Sequence, residues 1–145
     1  MPRNGTKASA TAERHSVKAL SIRPAWAHAI AHLGKRVENR TWRTTYRGPI
    51  LIHASSTMRP EDITALEAIV GRRVDVDSLH RGAIVAIADL VDCVDAAKAS
   101  SKWTFGPIAW RLRNVRPLRH PVQASGKLGL WNATDDLLRR VLAAV

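Results

Sequence analysis

Residues 34–48 read GKRVENRTWRTTYRG, and within them Lys35, Arg36, Arg40, Arg43 and Arg47 surround a single carboxylate, Glu38. Guanidinium groups in such a cluster suit phosphate oxygens or the faces of unpaired bases. Trp42 adds a ring on which a base could stack. The carboxylate is the informative residue, because a plain phosphate-binding stripe has no use for an acid. Glu38 is the acceptor-only group among donors, so it could take a hydrogen bond from the exocyclic amine of a base such as cytosine. It could instead be a counter-ion that fixes Arg40. A third role pairs it with Lys35 in acid–base chemistry, if burial lowers the lysine pKa.

The surrounding elements decide how these side chains are presented. Pro24 suits a first helical turn, and Trp26, Ile30 and Leu33 recur on one helical face, with Gly34 as C-terminal cap. A short strand over Ala19–Ile22 precedes that helix. Residues 36–43 alternate as a strand, placing Arg36, Glu38, Arg40 and Trp42 on one face. Ile50–His53 forms the next strand, and Pro60 with Glu61 and Asp62 opens a second helix closed by Gly71. The nearly continuous apolar run Gly82–Val91 predicts a central strand. Two further strands are expected near 108–115 and 128–132, before a C-terminal helix capped at Thr134. Short strands with about three helices around them indicate an α+β fold built on a small, partly open β-barrel.

The chain has 145 residues, enough for one domain with a real core, expected over 18–145 after a disordered basic arm at 1–17. Its formal charge of +11 and pI near 11.2 give a field that draws polyanions, so nucleic acid leads as partner class. No apolar run reaches membrane-span length and no export signal opens the chain, so the expected location is the cytoplasm, away from membranes. Cys93 is the only cysteine and sits in an apolar run, as a small core residue would. His28 and His32 have i,i+4 spacing, but no metalloprotease-type glutamate accompanies them, and neither metal nor cofactor is expected. Trp26, Trp110 and Trp131 occupy apolar positions of a helix and two strands. Trp103 and Phe105, in the loop SSKWTFGP, are candidates to wall a cleft.

In chain order, ALSIRPAWAHAI, LGKRVENRTWRTTYRGPILIHA, RGAIVAIADLVD, KWTFGPIAWRL, NVRPL and GKLGLW together resemble the ASCH domain. This is the activating-signal-cointegrator homology family of the PUA-like superfamily. Its hallmark Gly-x-Lys-x-x-Glu-x-Arg motif is carried by Lys35, Glu38 and Arg40, with the glycine one position late at 34 and Leu33 in its slot. The resemblance implies a small β-barrel of PUA-like type whose cleft binds RNA or DNA. PUA and YTH relatives bind RNA, and YTH domains read a modified base. Arg23 and His53 match family cleft positions. One branch deacetylates acetylated cytidine with a lysine, a threonine and a glutamate, and this chain has Glu38 where that branch has the threonine. That difference argues against deacetylation here, while nuclease activity has been proposed for other members.

The resulting expectation is a binder of single-stranded or unpaired RNA, with single-stranded DNA as a second possible ligand, a modified base as a candidate target and any protein partner left open. Its site would comprise Arg23, Lys35, Glu38, Arg40, Trp42, Arg43, Arg47, His53, Trp103 and Phe105. The alternative is a hydrolase acting on RNA or modified nucleosides, an amidohydrolase or ribonuclease, with Lys35 and Glu38 catalytic.

Overall fold

The computed structural model describes residues 16–145. Along the chain run β1 (Lys18–Ile22), α1 (Pro24–His32), β2 (Val37–Arg40), β3 (Gly48–Ala54), α2 (Pro60–Val70), β4 (Ala83–Asp95), β5 (Ile108–Gln123), β6 (Leu130–Asn132) and α3 (Asp135–Ala143). The strands form one six-stranded sheet in the order β2-β5-β4-β3-β1-β6. β1 and β3 are parallel, and every other pairing is antiparallel. Register shifts in the β3–β4 and β4–β5 pairs add twist and bend, and the sheet curls into a half-barrel. The expected α+β, partly open barrel with three helices is the observed architecture.

Alternation along β1 and β3 shows that both faces of the sheet are covered. Leu20, Ile22, Ile50 and Ile52 point into the curve with Ile30 of α1, Leu90 and Trp110. Ala19 and Leu51 face the other way, onto Trp131 and the Leu137 and Val141 stripe of α3. A third cluster joins α1 to α2 through Ala25, Ala29, Val37 and Leu66. Each fully buried Leu or Ile in these layers contributes about 1.5–3 kcal/mol.

Helix signals are reliable here because they act locally. Pro24 and Pro60 both open helices, Gly71 closes α2 in the left-handed conformation, and Thr134 caps α3 by accepting from Leu137 N. Strand lengths differ more. β2 ends at Arg40 rather than 43, and Trp42 lies in the bend that follows. β4 continues to Asp95 instead of stopping at Val91. β5 runs on to Gln123, through Pro117 and Pro121, where the sequence pattern ends it near 115. The arm expected over 1–17 lies outside the described residues as far as residue 15. Val17 packs at the edge of the second cluster, and its carbonyl accepts from Ala133 N at 2.9 Å. Among the described residues no helix is long and apolar enough to cross a membrane.

Candidate functional site

The turn between α1 and β2 puts the motif in place. Gly34 adopts φ 79°, a conformation open to glycine at no steric cost, and Lys35 N then donates back to Ala29 O at 3.1 Å. The late glycine of the motif therefore makes the sharp reversal that turns Lys35 inward. Lys35 is only 1% exposed, and its Nζ donates to Val37 O at 2.5 Å and to Glu38 Oε1 at 3.0 Å. Glu38, 7% exposed, faces Arg40 with its other oxygen, Oε2 lying 3.2 Å from Arg40 Nη2. The same Nη2 donates to Ser21 O at 2.9 Å, which ties β2 across to β1. Arg40 Nε is buried and has no hydrogen-bond partner among the described residues.

These groups line a cavity of about 350 Å³. Arg23 and Asp62 close another side through a two-point contact, Nε to Oδ2 at 2.6 Å and Nη2 to Oδ1 at 3.1 Å. The Asp62 carboxylate raises the Arg23 pKa above its ordinary value, overriding the opposing effect of burial. Trp26 and Phe105 supply aromatic walls, and Phe105 is 66% exposed. Asn39 holds the Phe105 loop. Its Nδ2 donates to Trp103 O at 3.0 Å, and its Oδ1 accepts from the N–H groups of Phe105 and Gly106 at 2.8 and 3.1 Å. The titratable lining is Arg23, Lys35 and Arg40 against Glu38 and Asp62, an excess of one positive charge.

Of the residues expected from sequence, Arg23, Lys35, Glu38, Arg40 and Phe105 meet at this cavity. The others are placed elsewhere. Arg43 pairs with Asp95 and donates to Cys93 O, while Arg47 sits 3.9 Å from Asp92, so both guanidiniums turn to acids of β4. Trp42 stands edge-on to Trp110 at 4.7 Å, and its carbonyl accepts from Trp110 Nε1 at 2.9 Å. Trp103 is not an exposed wall: it is 4% exposed and fills the third core cluster. His53 is buried and does not line the cavity; its Nδ1 lies 3.1 Å from Oγ of Ser21, which does. His53 Nε2 lies 2.7 Å from Ala124 O, which can only accept, so in the neutral ring Nδ1 accepts from the serine hydroxyl. Burial lowers the His53 pKa, with the Ala124 contact opposing. Ser21, Trp26, Asn39 and Asp62 are lining residues that the sequence pattern does not assign to the site. In sequence, Asp62 shows only as a favourable charge in a first helical turn.

A family model described as the ASCH domain matches residues 20–122. Activating signal cointegrator 1 of Homo sapiens and of Mus musculus are each 31% identical over 81 residues, 52% of this chain and 14% of the relative. The chain thus spans a small part of the length of those relatives. Among solved structures, ASCH from Zymomonas mobilis matches at TM-score 0.55 and 17% identity, over 88% of this chain and 94% of that one. A serine-to-alanine mutant of that protein matches at TM-score 0.56 and 17% identity, over 88% and 95%. At that identity the likeness speaks to the fold, the same half-barrel seen here. The family model, by contrast, spans the motif strand and the cavity-lining loop, and on that match the chain belongs to the ASCH domain family.

Proposed function

We propose that the cavity binds one unpaired nucleotide of RNA, with Glu38 reading the base edge and the cationic rim holding phosphate. The observation that carries this reading is the composition of the lining. A buried carboxylate stands among fixed guanidinium donors, beside an exposed phenylalanine, with one positive charge in excess. A phosphodiester brings one negative charge, and a base brings amine donors that only Glu38 and Asp62 among the charged groups can accept. At about 350 Å³ the cavity is near the small end of ligand pockets, a size that suits a single nucleotide rather than a duplex. Membership of the ASCH family and the charge of +11 support the same class of partner.

Catalysis by the Lys35–Glu38 pair is less well supported. Lys35 Nζ already serves Val37 O and Glu38, which suits a positioned cation better than a free base. The test is binding of a labelled single-stranded RNA to wild type, Glu38→Gln and Phe105→Ala, with the RNA recovered and sized afterwards. Phe105→Ala should cost about 1–3 kcal/mol, a 5- to 150-fold loss of affinity, if the ring stacks on a base. Glu38→Gln should change which bases are preferred. Shortened or chemically altered RNA, abolished in Glu38→Gln, would replace the binding reading with a hydrolase. No salt-sensitive affinity for any single-stranded RNA would sink the proposal outright.

A further inference from the structure

A second groove, of about 240 Å³, lies beside the start of β2 and is lined by Arg36, Arg111 and Arg113 with Ser100 and Ser101. Val37, Val91 and Leu112 supply its apolar surface, and among the described residues no acid lines it. Strand register explains the convergence. Arg111 is paired opposite Val37, so it shares that face of the sheet, and Arg113 follows two residues on. Two of the guanidiniums are fixed in place. Arg111 Nη2 donates to Lys98 O at 2.6 Å, and Arg36 Nη1 donates to Ile30 O at 3.1 Å. Each retains further N–H groups, since a guanidinium carries five. The nearest counter-charge is thin: Asp92 lies 3.7 Å from Arg111 and is shared with Arg47. Arg113 is exposed, and its side chain has no hydrogen bond or ion pair among the described residues.

We infer that this groove is a phosphate-binding site distinct from the cavity, and that it seats a backbone phosphate of the strand whose neighbouring nucleotide enters the cavity. The second clause rests on the proposed RNA reading; the first does not. Like charges gathered on an apolar floor repel one another, and a tetrahedral dianion or a phosphodiester would relieve that repulsion with several N–H donors. Ser101 Oγ accepts from Trp103 N at 3.0 Å, which leaves its own O–H proton to donate. The groove and the cavity share β2 as their wall. Arg36 and Val37 line the one, Lys35 and Glu38 the other, and Val37 and Glu38 lie on opposite faces of this strand at the edge of the sheet. A nucleic-acid strand seated in both would pass around that edge.

Two arms test it, both on the full chain. In the first, inorganic pyrophosphate is titrated into labelled protein, and the amide resonances of residues 36, 99–101 and 111–113 are followed. Saturable shifts there, lost in Arg113→Gln, are expected. Absence of shifts, or equal shifts in the variant, overturns the phosphate site, and stronger shifts from a glutamate-rich peptide would do the same. Arg113→Gln removes no side-chain hydrogen bond or ion pair seen among the described residues, and Arg111→Gln provides a second variant. In the second arm, a single nucleoside, which carries no phosphate, and a single-stranded RNA are compared. Arg113→Gln should leave the nucleoside unaffected, weaken the RNA and reduce its salt slope by about 1. Equal loss for both overturns the link to the cavity. If RNA fails to bind while pyrophosphate shifts persist, the RNA reading falls and the phosphate site stands.

Discussion

Lys35 is the residue on which the cavity turns. A lysine only 1% exposed is costly unless its charge is met, and here Glu38 Oε1 and Val37 O meet it. Removing the lysine would leave Glu38 buried with Arg40 as its remaining charged partner. Lys35→Ala is therefore expected to lower the free energy of unfolding by about 3–5 kcal/mol, read from urea denaturation. A loss within about 0.5 kcal/mol, the range of an ordinary surface substitution, would mean the pair is replaceable and Lys35 is held for chemistry rather than for structure. The Lys35, Glu38 and Arg40 cluster is legible in the sequence because one short turn and strand positions all three. Asp62 and Ser21 are not, since each reaches the cavity from a different element. Arg43 and Arg47 show the converse: sequence proximity puts them in the site, while Asp95 and Asp92 of β4 hold them away.

At the scale of elements, the loop between β5 and β6 packs against His53 and Ser21. A Cβ on Gly126 would come within 2.5 Å of His53 Cε1 and 2.6 Å of Ser21 Oγ, so only glycine allows the loop this close approach. That contact buries His53, with its ring edge-on to Trp131 at 5.7 Å, and burial is what lowers its pKa below 6.5. The folded state thus favours neutral imidazole, and the unfolded chain takes up the proton first. Stability contributed by His53 is complete above about pH 6.5 and is lost as pH falls toward the lowered folded value. His28 adds the same sign, through burial and then the charges of His32, His80 and Arg72. Unfolding free energy should therefore decline on acidification below about pH 6.5, and His53→Asn should flatten the slope without abolishing it. An unchanged slope in that variant would remove His53 from the account. The length of β5 is hidden from the sequence for a related, non-local reason. Proline normally ends a strand, but register shifts in the β4–β5 pair lie on either side of Pro117, where ladder bonds are interrupted.

For the whole molecule, if the cavity binds RNA as proposed, charge and shape would divide the work of binding between rate and residence. Arg3, Lys7 and Arg14 against Glu13 place two of the eleven net positive charges in residues 1–15, leaving nine on the rest of the chain. A field of that size steers a polyanion toward the protein, and at about 0.1 M salt it is screened beyond about 10 Å. The cavity would contribute differently, because Glu38, Arg40 and Phe105, which line it, could act only after the strand has arrived. Association should therefore slow steeply between low and physiological salt, while dissociation changes little. Arg113, exposed and lining the second groove, would serve the steering surface as well as the proposed phosphate site, so Arg113→Gln should reduce the association rate. Phe105→Ala should act on dissociation, since a stacked ring delays departure without attracting the ligand from a distance. Stopped-flow mixing with fluorescent RNA separates the two rates. If Phe105→Ala slowed association and left dissociation unchanged, the cavity would not be where the bound base resides, and the basic surface alone would account for affinity.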